Sequence, residues 1–230
     1  MARPHTRHRD NIYGGKLQRI ERQIHHYGSG LNALPLISQF ESDPTDFYLL
    51  RVAYGGLSGP LSNIDQGGFA SASFHSFEDT LKWDGYSGDY GPNFVGHALG
   101  MGTVLIEHPD FGWQALGGNV VATTPTVQVQ TRDSLRRRVF IAPIAALLEL
   151  DAGAFEAVTY DPASHKVTVT VAAAAQSGAA SAPQGRLVIT RTSTASESVA
   201  LKPSPTLKQD AGAWVIPFAS GTGTATLIPV

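Results

Sequence analysis

The sequence predicts an α+β protein made of two parts, a helical segment followed by an antiparallel β-sandwich. Up to about Gly118, apolar residues at helix-like spacing are separated by long glycine-rich loops. After that point, short β-branched runs alternate with polar residues and are separated by Pro, Gly and Ser. The 230 residues, 42% of them hydrophobic, suffice to bury a core. We therefore predict a disordered basic leader over 1–10, a helical segment over 11–118 and a β-sandwich over 119–230.

Two helices are predicted near the start of the helical segment. Residues 31–40 show a weak helical pattern that contains a proline. A second helix is expected to begin where Asp43 can cap it and Pro44 suits its first turn. Apolar side chains recur at near-helical spacing over 47–54, and the Gly55–Gly56 pair is expected to end this helix.

A third helix is predicted over 93–107, after Pro92. Gly96, Gly100 and Gly102 interrupt it, and each costs a helix about 1 kcal/mol relative to alanine. Two interpretations follow from these glycines. Either they allow close packing against a neighbouring helix, or part of the segment is not helical.

The strands of the predicted sandwich follow from β-branched residues at every second position. The turn over 160–165 is expected to join two of these strands into a hairpin, because it contains Asp, Pro and Ser. The predicted strands are 126–130, 138–141, 155–160, 166–174, 186–191, 214–218 and 222–227.

Composition and motifs exclude several classes of function. A formal net charge of -2 gives no basic surface for nucleic acid, and no apolar run approaches the ~20 residues that span a bilayer. The sequence has no cysteine, so disulfides and thiolate metal sites are excluded. No phosphate-binding loop, dinucleotide fingerprint or metalloprotease motif occurs, so no cofactor is predicted. The leader lacks an apolar stretch, so it is not a secretory signal and leaves the compartment open.

The segment 54–93 is the part of the sequence that most suggests chemistry. It reads YGGLSGPLSNIDQGGFASASFHSFEDTLKWDGYSGDYGPN, which combines carboxylates with aromatic rings and many glycines. Because glycines break regular structure, these residues are expected on a loop, where functional residues concentrate. Two carboxylates in one pocket can share acid and base chemistry, and aromatic rings suit the apolar faces of sugars. The combination favours a carbohydrate site.

Individual residues of this segment are assigned roles on that basis. Asp84 and Asp89 are the predicted acid–base pair, with Glu78 as a substitute member. The predicted substrate contacts are Trp83, Tyr86 and Tyr90 as sugar platforms, His75 as an orienting group, and Asp65 and Asn93 as further substrate-binding residues.

The same residues also have structural interpretations. Asp84 and Asp89 stand beside glycines, where aspartate most often caps a turn or a helix. Trp83 would suit a hydrophobic core, and His75 would suit a structural hydrogen bond. A third interpretation is a calcium loop formed by Asp84, Asp89, Asn93 and backbone carbonyls.

Several long blocks of the sequence resemble a known family. They read RDNIYGGKLQRIERQIHHYGSGLNALPLISQF, SDPTDFYLLRVAYGGLSGPLSNIDQGGFASASFHSF and LKWDGYSGDYGPNF, and DSLRRRVFIAP with LLELDAGAFEAVTYD extends the similarity into the predicted sandwich. Together they resemble the microbial family known as domain of unknown function 5695, which is grouped with six-hairpin, (α/α)₆ glycosidase-like proteins. The resemblance covers nearly everything from Asp10 to the C-terminus.

The resemblance implies a carbohydrate-active, secreted or extracytoplasmic protein that hydrolyses O-glycosidic bonds in an oligo- or polysaccharide. The helical segment would then resemble part of an (α/α)₆ toroid, and the sandwich would resemble the domain that follows it. No catalytic residue is carried over from the family. The alternative function is a non-catalytic carbohydrate-binding or structural sandwich module.

The length of the chain departs from the family pattern. A complete toroid of six helical hairpins needs more chain than 11–118 provides, so the sequence resembles only the C-terminal portion of such a protein. Helices built to line a toroid would expose apolar faces here. We therefore expect the chain alone to be impaired in catalysis, or to depend on self-association or on a partner that covers those faces.

Overall fold

The computed structural model describes most of the second half of the chain and shorter stretches of the first. The described residues are 11–13, 23–25, 28–61, 73–75, 82–83, 100–173, 184–193, 198–204, 207–218 and 221–230. They fall into two compact units. The first contains the described residues up to 40 and those of 46–99, and the second contains 41–45 and the described residues from 100 onward.

The first unit contains helices and short strands. The two helices are α1 (Gly28–Ser42), whose last residues are counted with the second unit, and α2 (Phe47–Leu61). Among the described residues, neither helix is long and apolar enough to cross a membrane. A four-stranded antiparallel sheet has the order β1-β2-β3-β4. Its strands are β1 (Asn11–Tyr13), β2 (Gln23–His25), β3 (Ser73–His75) and β4 (Lys82–Trp83).

Helix α2 begins and ends later than the sequence indicated. Asp46, rather than Asp43, caps it, because the Leu49 N–H donates to Asp46 Oδ1 at 2.9 Å. Asp43 instead accepts the Thr45 hydroxyl at 2.7 Å and holds the preceding turn. The prediction that Gly55–Gly56 ends the helix is wrong. The buried stripe of Leu50, Ala53 and Leu57 continues past the glycines and favours one more turn.

The second unit is built from two sheets, one of seven strands and one of six. The seven-stranded sheet has the order β15-β16-β13-β10-β9-β5-β6, from β5 (Thr103–His108), β6 (Gly112–Leu116), β9 (Arg138–Ile141), β10 (Ala146–Leu150), β13 (Gln184–Arg191), β15 (Gln209–Asp210) and β16 (Ala213–Pro217). The six-stranded sheet has the order β14-β17-β12-β11-β8-β7, from β7 (Gly118–Ala122), β8 (Val127–Thr131), β11 (Ala154–Tyr160), β12 (Val167–Ala172), β14 (Leu201–Pro203) and β17 (Thr222–Pro229).

One hydrophobic core joins the two sheets. In β12 the side chains of Val167, Val169 and Val171 are fully buried, while the threonines between them are partly exposed. Leu148 and Leu187 of the other sheet belong to the same buried cluster. The predicted antiparallel sandwich is therefore confirmed for this unit, apart from a parallel pairing between β5 and β9.

The helix predicted over 93–107 is wrong from residue 103 onward, where the chain forms β5. Val104, Leu105 and Ile106 are all buried, as in a strand that is covered on both faces. Gly102 precedes the strand with φ +71°, which a right-handed helix cannot accommodate. Strands β5 and β6 lie within the stretch predicted to be helical, but they belong to the second unit.

Candidate functional site

The residues predicted to carry chemistry lie mainly outside the described part of the chain. These are Asp65, Glu78, Asp84, Tyr86, Asp89, Tyr90 and Asn93. The backbones of Trp83 and His75 are described, on the neighbouring strands β4 and β3 of the four-stranded sheet. Trp83 pairs with Ser73, and His75 pairs with Ile24 on β2. The acid–base pair therefore stays a prediction.

Within the second unit, aromatic and titratable side chains gather at one end of the sandwich. Two turns lie there, the β5–β6 turn over 109–111 and the β11–β12 turn over 161–166. The rings of Trp113 and Tyr160 bring them together, with centroids 5.9 Å apart in an edge-to-face arrangement. We call this group the loop-end site. It consists of Glu107, His108, Phe111, Trp113, Tyr160, Asp161 and His165.

The β5–β6 turn holds an exposed aromatic ring in place. The Asp110 N–H donates to His108 Nδ1 at 3.1 Å, and Gln114 Nε2 donates to the Phe111 carbonyl at 3.0 Å. The Phe111 ring lies 4.7 Å from the His108 ring, yet its residue is 72% exposed. Gly112 closes the turn with φ +64°. Phe111 is thus a fixed apolar surface that faces solvent.

The second turn positions a histidine over a buried phenol. Tyr160 Oη and His165 Nδ1 are 2.9 Å apart, and the two rings are stacked. The Asp161 carboxylate accepts hydrogen bonds from the Ser164 hydroxyl and from the Ala163 N–H, which hold the pKa of Asp161 below its usual value. His165 has φ +56°, so this hydrogen-bonded turn keeps it in the left-handed region.

The electrostatics of the loop-end site are dominated by carboxylates. Burial first, and then the negative charges of Glu107 and Asp161, raise the pKa of Tyr160 to about 12. Glu107 is exposed and stands directly across from Trp113 in the β5–β6 pair, so both side chains lie on the same face of the sheet. The site therefore offers aromatic surface beside carboxylate acceptors.

A second charged group lies elsewhere in the second unit and involves Glu41, Arg138 and Glu149. Arg138 Nη2 is 3.6 Å from Glu41 Oε1, and Arg138 Nε is 2.9 Å from Glu149 Oε1, although that approach lacks hydrogen-bond geometry. The pKa of Glu41 is raised. Burial of the carboxyl is the largest cause; the positive charge of Arg138 lowers the pKa, and the negative charge of Glu149 raises it. The Thr192 hydroxyl donates to the Glu41 carbonyl at 2.5 Å. These contacts tie Glu41 to the sandwich, and we assign them a structural role.

The loop-end site was not found from the sequence alone. The run HPDFGW over 108–113 carries a signal that points to the loop-end site. It places Phe111 in a tight turn and Trp113 just after it, directly across from Glu107 on the neighbouring strand. The run YDPASH over 160–165 predicts only a turn. Joining the two runs requires the contact between Trp113 and Tyr160, which local patterns do not encode.

Comparison with known proteins places the chain in a family. No curated protein and no solved structure matches it significantly. One family model matches residues 3–226, which is nearly the whole sequence. This confirms the resemblance to domain of unknown function 5695. The chain belongs to DUF5695, which is described as a family of unknown function.

Proposed function

We propose that this protein is carbohydrate-active and that its sandwich binds sugar at the loop-end site. The observation that carries the proposal is Phe111, a residue that is 72% exposed although its ring contacts His108 and its backbone carbonyl accepts a hydrogen bond from Gln114. Because a ring that already contacts a neighbour loses little conformational freedom on binding, Phe111 suits a ligand contact.

The surroundings of Phe111 favour a sugar over a purely apolar ligand. A pyranose has an apolar C–H face that suits an aromatic ring and hydroxyl groups that need polar partners. At the same end of the sandwich, Trp113 packs against the core but is partly exposed, and Glu107 across from it supplies carboxylate acceptors. Turns at one end of a sandwich are also a usual place for binding residues on a rigid scaffold.

Hydrolysis is the second proposed activity, and it rests on the segment 54–93 and on the six-hairpin, glycosidase-like grouping that the sequence resemblance implies. Asp84 and Asp89 would act as the pair, one protonating the leaving oxygen and the other activating water or attacking directly. Carboxyl separations of roughly 6.5–9.5 Å would favour inversion, and roughly 5–5.5 Å would favour retention. The helical part would then resemble a portion of an (α/α)₆ toroid and would need further helices or a partner for activity.

The binding proposal is tested by an oligosaccharide array followed by calorimetry on the best ligand. Phe111→Ala is expected to weaken binding about tenfold, because a stacked aromatic contact contributes up to about 1.5 kcal/mol. Tyr48→Ala is the matched control, since Tyr48 is 75% exposed but lies on α2 in the other unit. Equal affinities for Phe111→Ala and the unaltered protein would contradict the proposal.

The hydrolytic proposal is tested by product release from the same oligosaccharides. Asp84→Asn should abolish turnover while circular dichroism shows an unchanged fold, because the amide neither protonates a leaving group nor activates water. Undiminished turnover in this variant would remove Asp84 from the mechanism. Binding without any product over long incubation would instead favour a non-catalytic carbohydrate-binding module.

A further inference from the structure

We propose that two copies of this chain associate through strand β6, so that each β6 becomes the antiparallel neighbour of the other. The proposal goes beyond sugar binding and does not depend on it. It rests on the condition of the sheet edges, on the side-chain pattern of β6 and on the lack of charge at this side of the sandwich.

In the described part of the sandwich, three of the four edge strands carry a feature that hinders pairing with another chain. Strand β14 has only three residues and contains Lys202 and Pro203. Strand β15 has two residues, one of which is Asp210. In β7 the pairing shifts register between Val120 and Ala122, as in a β-bulge. Short length, charge, proline and bulges are the means by which proteins protect sheet edges.

Strand β6 has none of these protecting features. All five of its residues pair with β5 without a shift in register, and none of them is charged or a proline. Among the described strands, β5 is its only neighbour in the sheet. The backbone N–H and C=O groups on its other side are therefore available to a further strand.

A second copy of the chain suits this edge because no charge would oppose it. The sequence has no charged residue from 112 to 131, a stretch that includes β6 and also β7, the edge of the other sheet. Two copies that meet at this side therefore bring no like charges together. The formal net charge of -2 adds little repulsion between whole molecules.

The side chains of β6 define how two copies would pair. Trp113 and Ala115 pack against the core, so Gln114 between them lies on the other face of the sheet. Because directly opposite residues share a face, the two-fold axis between two β6 strands has to pass through a residue. An axis at Gln114 pairs the whole strand and places Gly112 opposite Leu116 of the other copy.

Gln114 would then lie opposite the same residue of the other copy. An amide side chain both donates and accepts hydrogen bonds, so two glutamines are self-complementary. One N–H of Gln114 donates to the Phe111 carbonyl, which leaves the second N–H and Oε1 for the other copy. Phe111 precedes the paired residues, so the association does not use its ring.

The association is tested first by sedimentation equilibrium of the unaltered chain over roughly 1 to 200 µM. We expect the mass to rise toward that of a dimer with a Kd on the order of 10 µM, because pairing at one edge strand is a small interface. A monomer over the whole range would overturn the proposal.

Opposite charges at residue 114 locate the interface. Gln114→Lys and Gln114→Glu each bring like charges to within about 5 Å between Cβ atoms, so each should raise the Kd at least about tenfold. An equal mixture of the two variants should recover the dimer. Gln130→Lys is the matched control, since Gln130 is also exposed but lies on β8, between β11 and β7. Full dimerisation of either Gln114 variant alone, or a mixture that stays monomeric, would contradict pairing at this residue.

A disulfide tests the register, because the sequence has no cysteine of its own. Opposite Cα atoms in an antiparallel pair are about 4.5–5.5 Å apart, which is within the range that a disulfide spans. Gln114→Cys should therefore form a covalent dimer on mild oxidation, and Gln130→Cys should stay largely monomeric. Equal cross-linking of both would indicate random collision and overturn the proposed register. Thermal unfolding of each variant verifies that the fold is retained.

Discussion

Tyr160 illustrates how burial alters the chemistry of a single side chain in this protein. Its residue is only 1% exposed, and its hydroxyl has a partner in His165 Nδ1 at 2.9 Å. Ionising the phenol would place a negative charge in an apolar core next to Glu107 and Asp161. The phenol therefore stays protonated at every physiological pH.

The pH dependence of stability follows from this shift. Because the pKa of Tyr160 rises from 10.0 to about 12 on folding, its stabilising effect is complete below pH 10 and is lost as the pH rises through 12. The loss is on the order of 2 kcal/mol. Urea unfolding from pH 9 to 12 should show this decline in the unaltered protein.

Tyr160→Phe provides the control for that measurement. The variant cannot ionise at this position, so its free energy of unfolding should fall less over the same pH range. At neutral pH it should be less stable by about 1 kcal/mol, because the hydrogen bond to His165 is lost. A decline of equal size in both proteins would show that another group is responsible.

At the level of elements, the start of β5 depends on a glycine. An added Cβ at Gly102 would lie 2.1 Å from the carbonyl oxygen of Arg138, and the residue has φ +71°. Strands β5 and β9 pair in parallel beside this point, beginning with Thr103 and Val139. The Arg136 guanidinium also donates to the Gly102 carbonyl at 3.1 Å. A side chain at residue 102 would therefore collide with the backbone of β9 at the point where the strand pair begins.

Gly102→Ala should destabilise the second unit by about 2–5 kcal/mol, combining left-handed strain with overpacking against backbone. Gly112→Ala is the matched comparison, since Gly112 has φ +64° but an added Cβ there meets nothing within 4 Å. It should cost about 1–2 kcal/mol. Urea midpoints for the two variants measure the difference, and equal midpoints would mean that the contact with Arg138 relaxes without cost.

The sequence predicts an element well when the pattern of neighbouring residues alone determines its structure, and poorly when contacts with distant residues determine it. The strands with alternating β-branched residues, such as β12, were found because burial follows the period of two. Strand β5 was missed because Val104, Leu105 and Ile106 are all buried, and a continuous apolar run does not distinguish a strand from a helix. Helix α2 continues past Gly55 and Gly56 because the packing of Leu57 outweighs the low helix propensity of the glycines.

At the level of the whole molecule, the candidate site lies in the second unit. The core of this unit follows from the alternating apolar residues of its strands. The sandwich brings together Trp113 and Tyr160 from different sheets, although they are distant in the chain. No local pattern encodes that contact, so the loop-end site could not be assembled from the sequence. The predicted acids Asp84 and Asp89 lie outside the described residues, and their role is still a proposal.

Sugar binding at the loop end of the sandwich is tested most directly by amide chemical-shift mapping with the best oligosaccharide from the array. We expect the perturbed amides to cluster in residues 107–113 and 160–166, and we expect the perturbation to disappear in Phe111→Ala. Perturbations confined to other parts of the chain, or none at saturating oligosaccharide, would contradict sugar binding at this site.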